Sequence, residues 1–125
     1  LLFKLFIFLG SIHMFLAVAL GAFGAHGLKN KLTTDMLAIY NTAVHYHMIH
    51  ALGLIAVGIV AQWLAGSTMI NWAGWSFFVG ILFFSGSLYI LSVTGIKWLG
   101  AITPIGGVAF LIGWLMLALA VWKQG

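Results

Sequence analysis

Three observations predict an all-α membrane protein, a four-helix transmembrane bundle. Hydrophobic residues make up 64% of the 125-residue chain and charged residues only 5%. Soluble domains carry about a quarter charged residues, because their surfaces face water; here a bilayer must be the solvent. From Met36 to Ile96 there is no Asp, Glu, Lys or Arg. A membrane span needs roughly 20 apolar residues, so that stretch alone holds at least two. Short polar and glycine-containing breaks divide the chain into four apolar runs, at about residues 5–25, 43–65, 72–93 and 102–122, within a single transmembrane domain over 1–125.

The first run follows Lys4 and resembles the start of a signal peptide. At about 21 residues it exceeds the roughly 7–15 of a signal-peptide core, and no clear small-x-small site follows, so it reads as a retained helix. Gly21, Gly24 and Gly27 close it at a spacing of three. Either they admit a neighbouring helix closely or the helix frays there into a loop. The loop carries Lys29 and Lys31. Thr34 and Asp35 then mark a helix start, the acid lying at the positive end of the helix dipole.

The second helix runs from Met36 toward Ala65, about 45 Å at 1.5 Å per residue, against a hydrocarbon core of about 30 Å. Its apolar part begins near Ala51, which places His45, His47 and His50 at or just inside the interface. Gly66, Ser67 and Thr68 make the next turn, and Trp63, Trp72 and Trp75 flank it as interfacial aromatics. The third run carries Ser85, Ser87 and Tyr89 in its second half. A loop with Lys97 leads to the fourth, which opens on Thr103 and Pro104. Proline is tolerated in a first helical turn, where its missing N–H had no partner.

Four antiparallel spans fix relative depth. The end of the first, the start of the second, the end of the third and the start of the fourth share one side of the membrane. Those places hold His26, His45 to His50, Ser85 to Tyr89, and Thr103. The other side offers Gln62, Ser67, Thr68 and Asn71, which read as turn residues. Polar side chains are thus concentrated in one leaflet, and such residues are expensive unless they face the bundle interior or a cavity. On the second helix Met36, Tyr40, Ala43, His47, His50 and Leu54 follow a 4-3-4-3-4 spacing and form one stripe. His45 lies about 200° from His47 and points elsewhere. His13 stands about 20 Å from His26 along the first helix, so it is expected outside the site.

These residues support two site chemistries. His26, His47 and His50 offer three imidazoles, a set suited to Zn, Cu, Fe or haem. Alternatively the histidines, with Tyr46, Ser85, Ser87, Tyr89 and Thr103, line a polar pocket that bonds between helices or holds a lipid or quinone headgroup. No phosphate loop, paired carboxylates or HExxH pattern is present. A serine nucleophile at Ser85 or Ser87 with His50 would lack a third member to orient its base. The chain lacks the charged rings that set ion selectivity in channels. The net charge of +4 comes from five scattered lysines and one acid; the lysines read as span-end anchors, not as a nucleic-acid footprint. Zero cysteines excludes disulfides and thiolate ligands. Loops on the two sides carry three lysines and two, which leaves orientation open.

The segments Gly21-Ala22-Phe23-Gly24-Ala25-His26-Gly27, Tyr46-His47-Met48-Ile49-His50-Ala51-Leu52, Phe84-Ser85-Gly86-Ser87-Leu88-Tyr89, Thr103-Pro104-Ile105-Gly106-Gly107 and Phe110-Leu111-Ile112-Gly113-Trp114 resemble, in order and over essentially the whole chain, the YgdD/YwdK-like family. The resemblance implies a small four-helix protein of the bacterial inner membrane, of unknown function. His26, Tyr46, His50, Ser85 and Tyr89 match its motifs; the family often carries Gln where this chain has His47. The expectation from all of this is a non-enzymatic integral membrane protein. It would be an accessory subunit of a larger membrane complex or a small self-associating protein, in contact with the lipid bilayer and without nucleic-acid partners. The alternatives are a histidine-ligated metal or haem protein, and a small oligomeric channel or lipid- or quinone-binding protein.

Overall fold

A computed structural model describes residues 2–64 and 66–124. Four helical segments are long and apolar enough to cross a membrane: Leu2–Leu28, Thr34–Ala61, Thr68–Thr94 and Lys97–Lys123. The first is α1 (Leu2–Phe23) ending in a π-helical turn, Gly24–Leu28. The second is α2 (Thr34–Ala61). The third is α3 (Thr68–Gly80), a second π turn (Ile81–Ser85) and α4 (Gly86–Thr94). The fourth is a 3-10 turn (Lys97–Ala101) followed by α5 (Thr103–Gln124). No strand occurs among the described residues.

The helices overrun the apolar runs that predict them, because capping residues and not hydropathy set their ends. Thr33 caps α2, its hydroxyl accepting from the Met36 N–H at 3.2 Å, one residue before the Thr34 start that the sequence suggests. Asp35 lies in the first turn, beside the unpaired N–H groups. α2 ends at Ala61, followed by a turn; the expected end of this span at Ala65 lies outside the described residues. Ser67 caps α3 in the same manner, accepting from Ile70. Gly95, at φ +74°, ends α4 in the left-handed conformation that a side chain would strain. Pro104 occupies the first turn of α5.

α2 is the central helix. It packs along α1 on one side and along α3 and α4 on the other, and α5 covers α3. Half of its most apolar window is buried, against 17% for the first span and 22% for the fourth, so those two are the most open to lipid. The main core joins Phe6, Leu54, Val57, Ile70, Phe77 and Phe110. A smaller cluster, Leu28, Tyr40 and Val44, closes the end near the first loop.

Glycines set the close approaches. A Cβ on Gly106 would collide with the Phe84 backbone, so α5 lies directly on the π turn. The glycines ending the first span admit a neighbour, and the helix continues through them to Leu28 without fraying into a loop. The helix loosens into a π turn over Gly24–Leu28, and a Cβ on Gly24 would still strike the Tyr40 ring. Gly27 faces only Phe23 of its own helix.

Candidate functional site: a hydrogen-bonded histidine layer

Of the stripe phased on α2, Tyr40, Ala43, His47, His50 and Leu54 are buried, Met36 in the first turn is half-buried, and His45 is exposed. α2 begins at Thr34, so His47 lies about 20 Å along the helix and His50 about 24 Å. Both sit near the midpoint of the Thr34–Ala61 helix.

That depth brings in a residue expected elsewhere. His13 Nδ1 lies 2.9 Å from His47 Nε2, the rings edge to face at 5.1 Å. His13 is remote from His26, as expected, but the layer forms around His47. The opposite nitrogen, His47 Nδ1, lies 2.9 Å from the Tyr89 hydroxyl. Tyr89 in turn packs edge-on against Tyr40, whose hydroxyl donates to the Leu20 carbonyl. The chain Tyr89–His47–His13 therefore ties α4, α2 and α1 together.

His50 makes a second, separate arrangement. The Trp114 indole N–H donates to its Nε2 at 2.9 Å, and its Nδ1 lies 2.8 Å from the Tyr46 carbonyl. An indole can only donate and a carbonyl can only accept, so His50 must be the neutral tautomer with its proton on Nδ1. Its ring lies flat on Phe110, centroids 3.5 Å apart and 7° from parallel, with Phe77 edge-on behind it.

The serines fill a third set. The π turn at Ile81–Ser85 inserts extra residues into the third span and shifts its phase, and both Ser85 and Ser87 are buried. Ser85 donates to the Ala43 carbonyl at 2.9 Å. Ser87 donates to Phe84 O and lies 2.7 Å from the Thr103 hydroxyl, joining α4 to α5. The Tyr46 ring is 41% exposed and packs on Phe84 at 4.5 Å. Among the described residues, no buried side-chain nitrogen or oxygen lacks a partner.

The three imidazoles expected to hold a metal are divided. His26 sits exposed in the π turn near the first loop. His47 and His50 each have both ring nitrogens engaged by protein groups. Among the described residues, no three His, Cys, Asp or Glu side chains are grouped as a metal ion would require. The spacing of His47 and His50 correctly gave a shared stripe, but it carried no information about their partners.

His13, Phe110 and Trp114 escaped the sequence reading. For His13 a signal existed. Asn30, in the middle of the first loop, is 17 residues from both His13 and His47, and residues equidistant from a tight helical turn lie side by side. Trp114 offered no comparable count.

The chain matches, over residues 20–107, a family described as a protein of unknown function (DUF423). The UPF0382 membrane protein YwdK of Bacillus subtilis (strain 168) is 57% identical over 120 residues, 96% of this chain and 98% of that protein. A UPF0382 membrane protein of Staphylococcus saprophyticus, SSP2132, is 54% identical over the same share of each. One of Staphylococcus aureus (strain USA300), SAUSA300_0565, is 54% identical over 96% of this chain and 97% of its own length. No solved structure matches. With four membrane-crossing helices and relatives of this closeness along nearly its full length, the chain belongs to the DUF423 family of multi-pass bacterial membrane proteins, a family of unknown function.

Proposed function

We propose that this protein is a non-enzymatic integral membrane protein that acts by association within the bilayer, as an accessory subunit of a larger membrane complex or through contact with further copies of itself. One observation carries this reading: apart from the outer nitrogen of His13, the polar layer is closed upon itself. His47, His50, Ser85, Ser87 and Thr103 each make at least one hydrogen bond to a neighbouring helix, as groups that fix helix packing do in lipid. No nucleophile with an oriented base stands among them. The face left for a partner is then the lipid-facing surface. α5 presents Val108, Leu111, Leu115 and Trp122 there, all more than half exposed. Beside them Leu117, Ala118, Val121 and Trp122 line a shallow apolar depression, in which the small Ala118 leaves room for the ridge of another helix.

Native mass spectrometry after extraction in a mild detergent tests this. The proposal expects a homo-oligomer or a defined complex with another membrane protein. A free monomer at every detergent concentration, with no co-migrating chain, would contradict it.

A further inference from the structure

The tyrosine–histidine chain has a direction, and that direction leaves one group unsatisfied. If the Tyr89 hydroxyl donates to His47 Nδ1, then His47 carries its proton on Nε2 and donates to His13 Nδ1. His13 then carries its own proton on Nε2. In the reverse direction, Tyr89 O–H and His13 Nε2 would both lack partners, since neither makes another hydrogen bond among the described residues. The first arrangement leaves fewer groups unpaired and is the favoured one. It ends in a single N–H donor on a half-buried side chain of α1.

Three features define what that donor meets. His13 is near the middle of the Leu2–Leu28 crossing, so phospholipid ester oxygens at the edge of a core of about 30 Å lie roughly 15 Å away. Water is absent at that depth. The donor also borders aromatic rings. Phe78 meets the His13 ring edge-on at 5.6 Å, and Trp75, one turn away on α3, packs against Phe78 at 6.0 Å and is 38% exposed. α1 and α3 meet where Phe6 packs edge-on against Trp75 at 5.3 Å and where His13 meets Phe78. No buried side-chain nitrogen or oxygen among the described residues lacks a partner, so the His13 Nε2 reaches the outer, lipid-facing side of this seam.

We propose that the α1–α3 seam binds a lipid-soluble quinone, with the His13 Nε2–H donating to one quinone carbonyl and Trp75 and Phe78 flanking the ring. A quinone supplies what the seam lacks: a neutral acceptor oxygen that can reach the bilayer centre, on a flat ring suited to aromatic walls. His47 and Tyr89 are positioning residues, holding the His13 proton on the outward nitrogen. This reading is independent of the association proposed above.

The test uses the full chain in phosphatidylcholine nanodiscs and a decyl-substituted benzoquinone with 13C-labelled carbonyls. Infrared spectroscopy reads the carbonyl stretch, and titration reads binding above partition into empty nanodiscs. The wild type is expected to bind saturably and to shift one carbonyl band to lower frequency. His13→Leu is expected to lose the shifted band and about tenfold in affinity, the factor that one such hydrogen bond carries. His13→Gln, which keeps an N–H donor, retains the shifted band, and the exposed His45→Ala binds as wild type. If His13→Leu does not fold, Trp75→Leu, which leaves the hydrogen-bonded chain intact, must still weaken binding. Binding no greater than to empty nanodiscs, an unshifted carbonyl, or wild-type affinity in Trp75→Leu would overturn the proposal. So would a second copy or another protein's helix found cross-linked into the seam in place of quinone.

Discussion

His13 and His47, each near the middle of its membrane-crossing helix, meet at 2.9 Å. Two imidazoles placed there without a partner would each carry an unpaid polar group in lipid. Paired with each other and with Tyr89, they become a clamp joining the first, second and third crossings. The aromatic and polar side chains around α2 thus fix which helices adjoin, a task that apolar contacts alone specify poorly in lipid.

The clamp can be measured as a coupling. Unfolding free energies of His13→Phe, His47→Phe and the double variant close a thermodynamic cycle. The expected coupling is about 0.6 kcal/mol, the average for interhelical hydrogen bonds in membranes, with an upper end near 1.7. Strict additivity of the two single substitutions would mean that the 2.9 Å contact does not persist in the bilayer.

His50 makes a sharper chemical prediction. With Trp114 donating to Nε2 and the Tyr46 carbonyl accepting from Nδ1, 15N NMR of labelled protein should show the neutral Nδ1–H tautomer. Trp114→Phe keeps a ring against Phe77 but removes the donor. It should lower stability by about 1–3 kcal/mol, the cost of a buried acceptor left alone. An Nε2–H tautomer in the wild type would show the assigned pairing to be wrong.

Glycines should divide sharply by position. Gly106→Val drives a side chain into the Phe84 backbone and should abolish the folded monomer in detergent. Gly86→Ala meets nothing closer than 3.9 Å and replaces a helical glycine by alanine, so it should be neutral or stabilising by about 0.5–1 kcal/mol. Comparable thermal stability of the two variants would refute the close approach of α5 to the π turn.

Ser85→Ala removes a fully buried hydroxyl that donates to Ala43 O. The carbonyl retains its place in α2, and the loss should be modest, about 0.5–1.5 kcal/mol. Ser85→Val adds volume at the same point and should cost more, about 1–3 kcal/mol. Thermal unfolding of both in one detergent checks the order; the reverse order would place Ser85 at a loose site.

Much of the fold was legible because bilayer crossing is written in composition. The uncharged stretch from Met36 to Ile96 and the glycine- and serine-bearing turns point to four spans, and the 4-3-4-3-4 spacing identifies the buried stripe of α2. The π turns were not legible. Ile81–Ser85 reads as ordinary apolar helix, and its close contact with Gly106 is made by another helix. The site was legible in part for the same reason. Spacing places His47 and His50 on one face, but partners such as His13 and Trp114 come from other helices, and their identity depends on register between helices. Register follows from caps at Thr33 and Ser67 and from glycine contacts, which single-helix periodicity does not contain.

The most direct test of the account is photo-cross-linking in intact membranes from a probe at Leu115, on the exposed face of α5, with a second probe at Phe15 on the exposed face of α1 for comparison. Association through α5 predicts a discrete protein adduct of defined mass from position 115, either a second copy or one membrane partner, and a weaker or absent adduct from position 15. Lipid adducts alone from both positions would contradict the proposal that this protein acts by association.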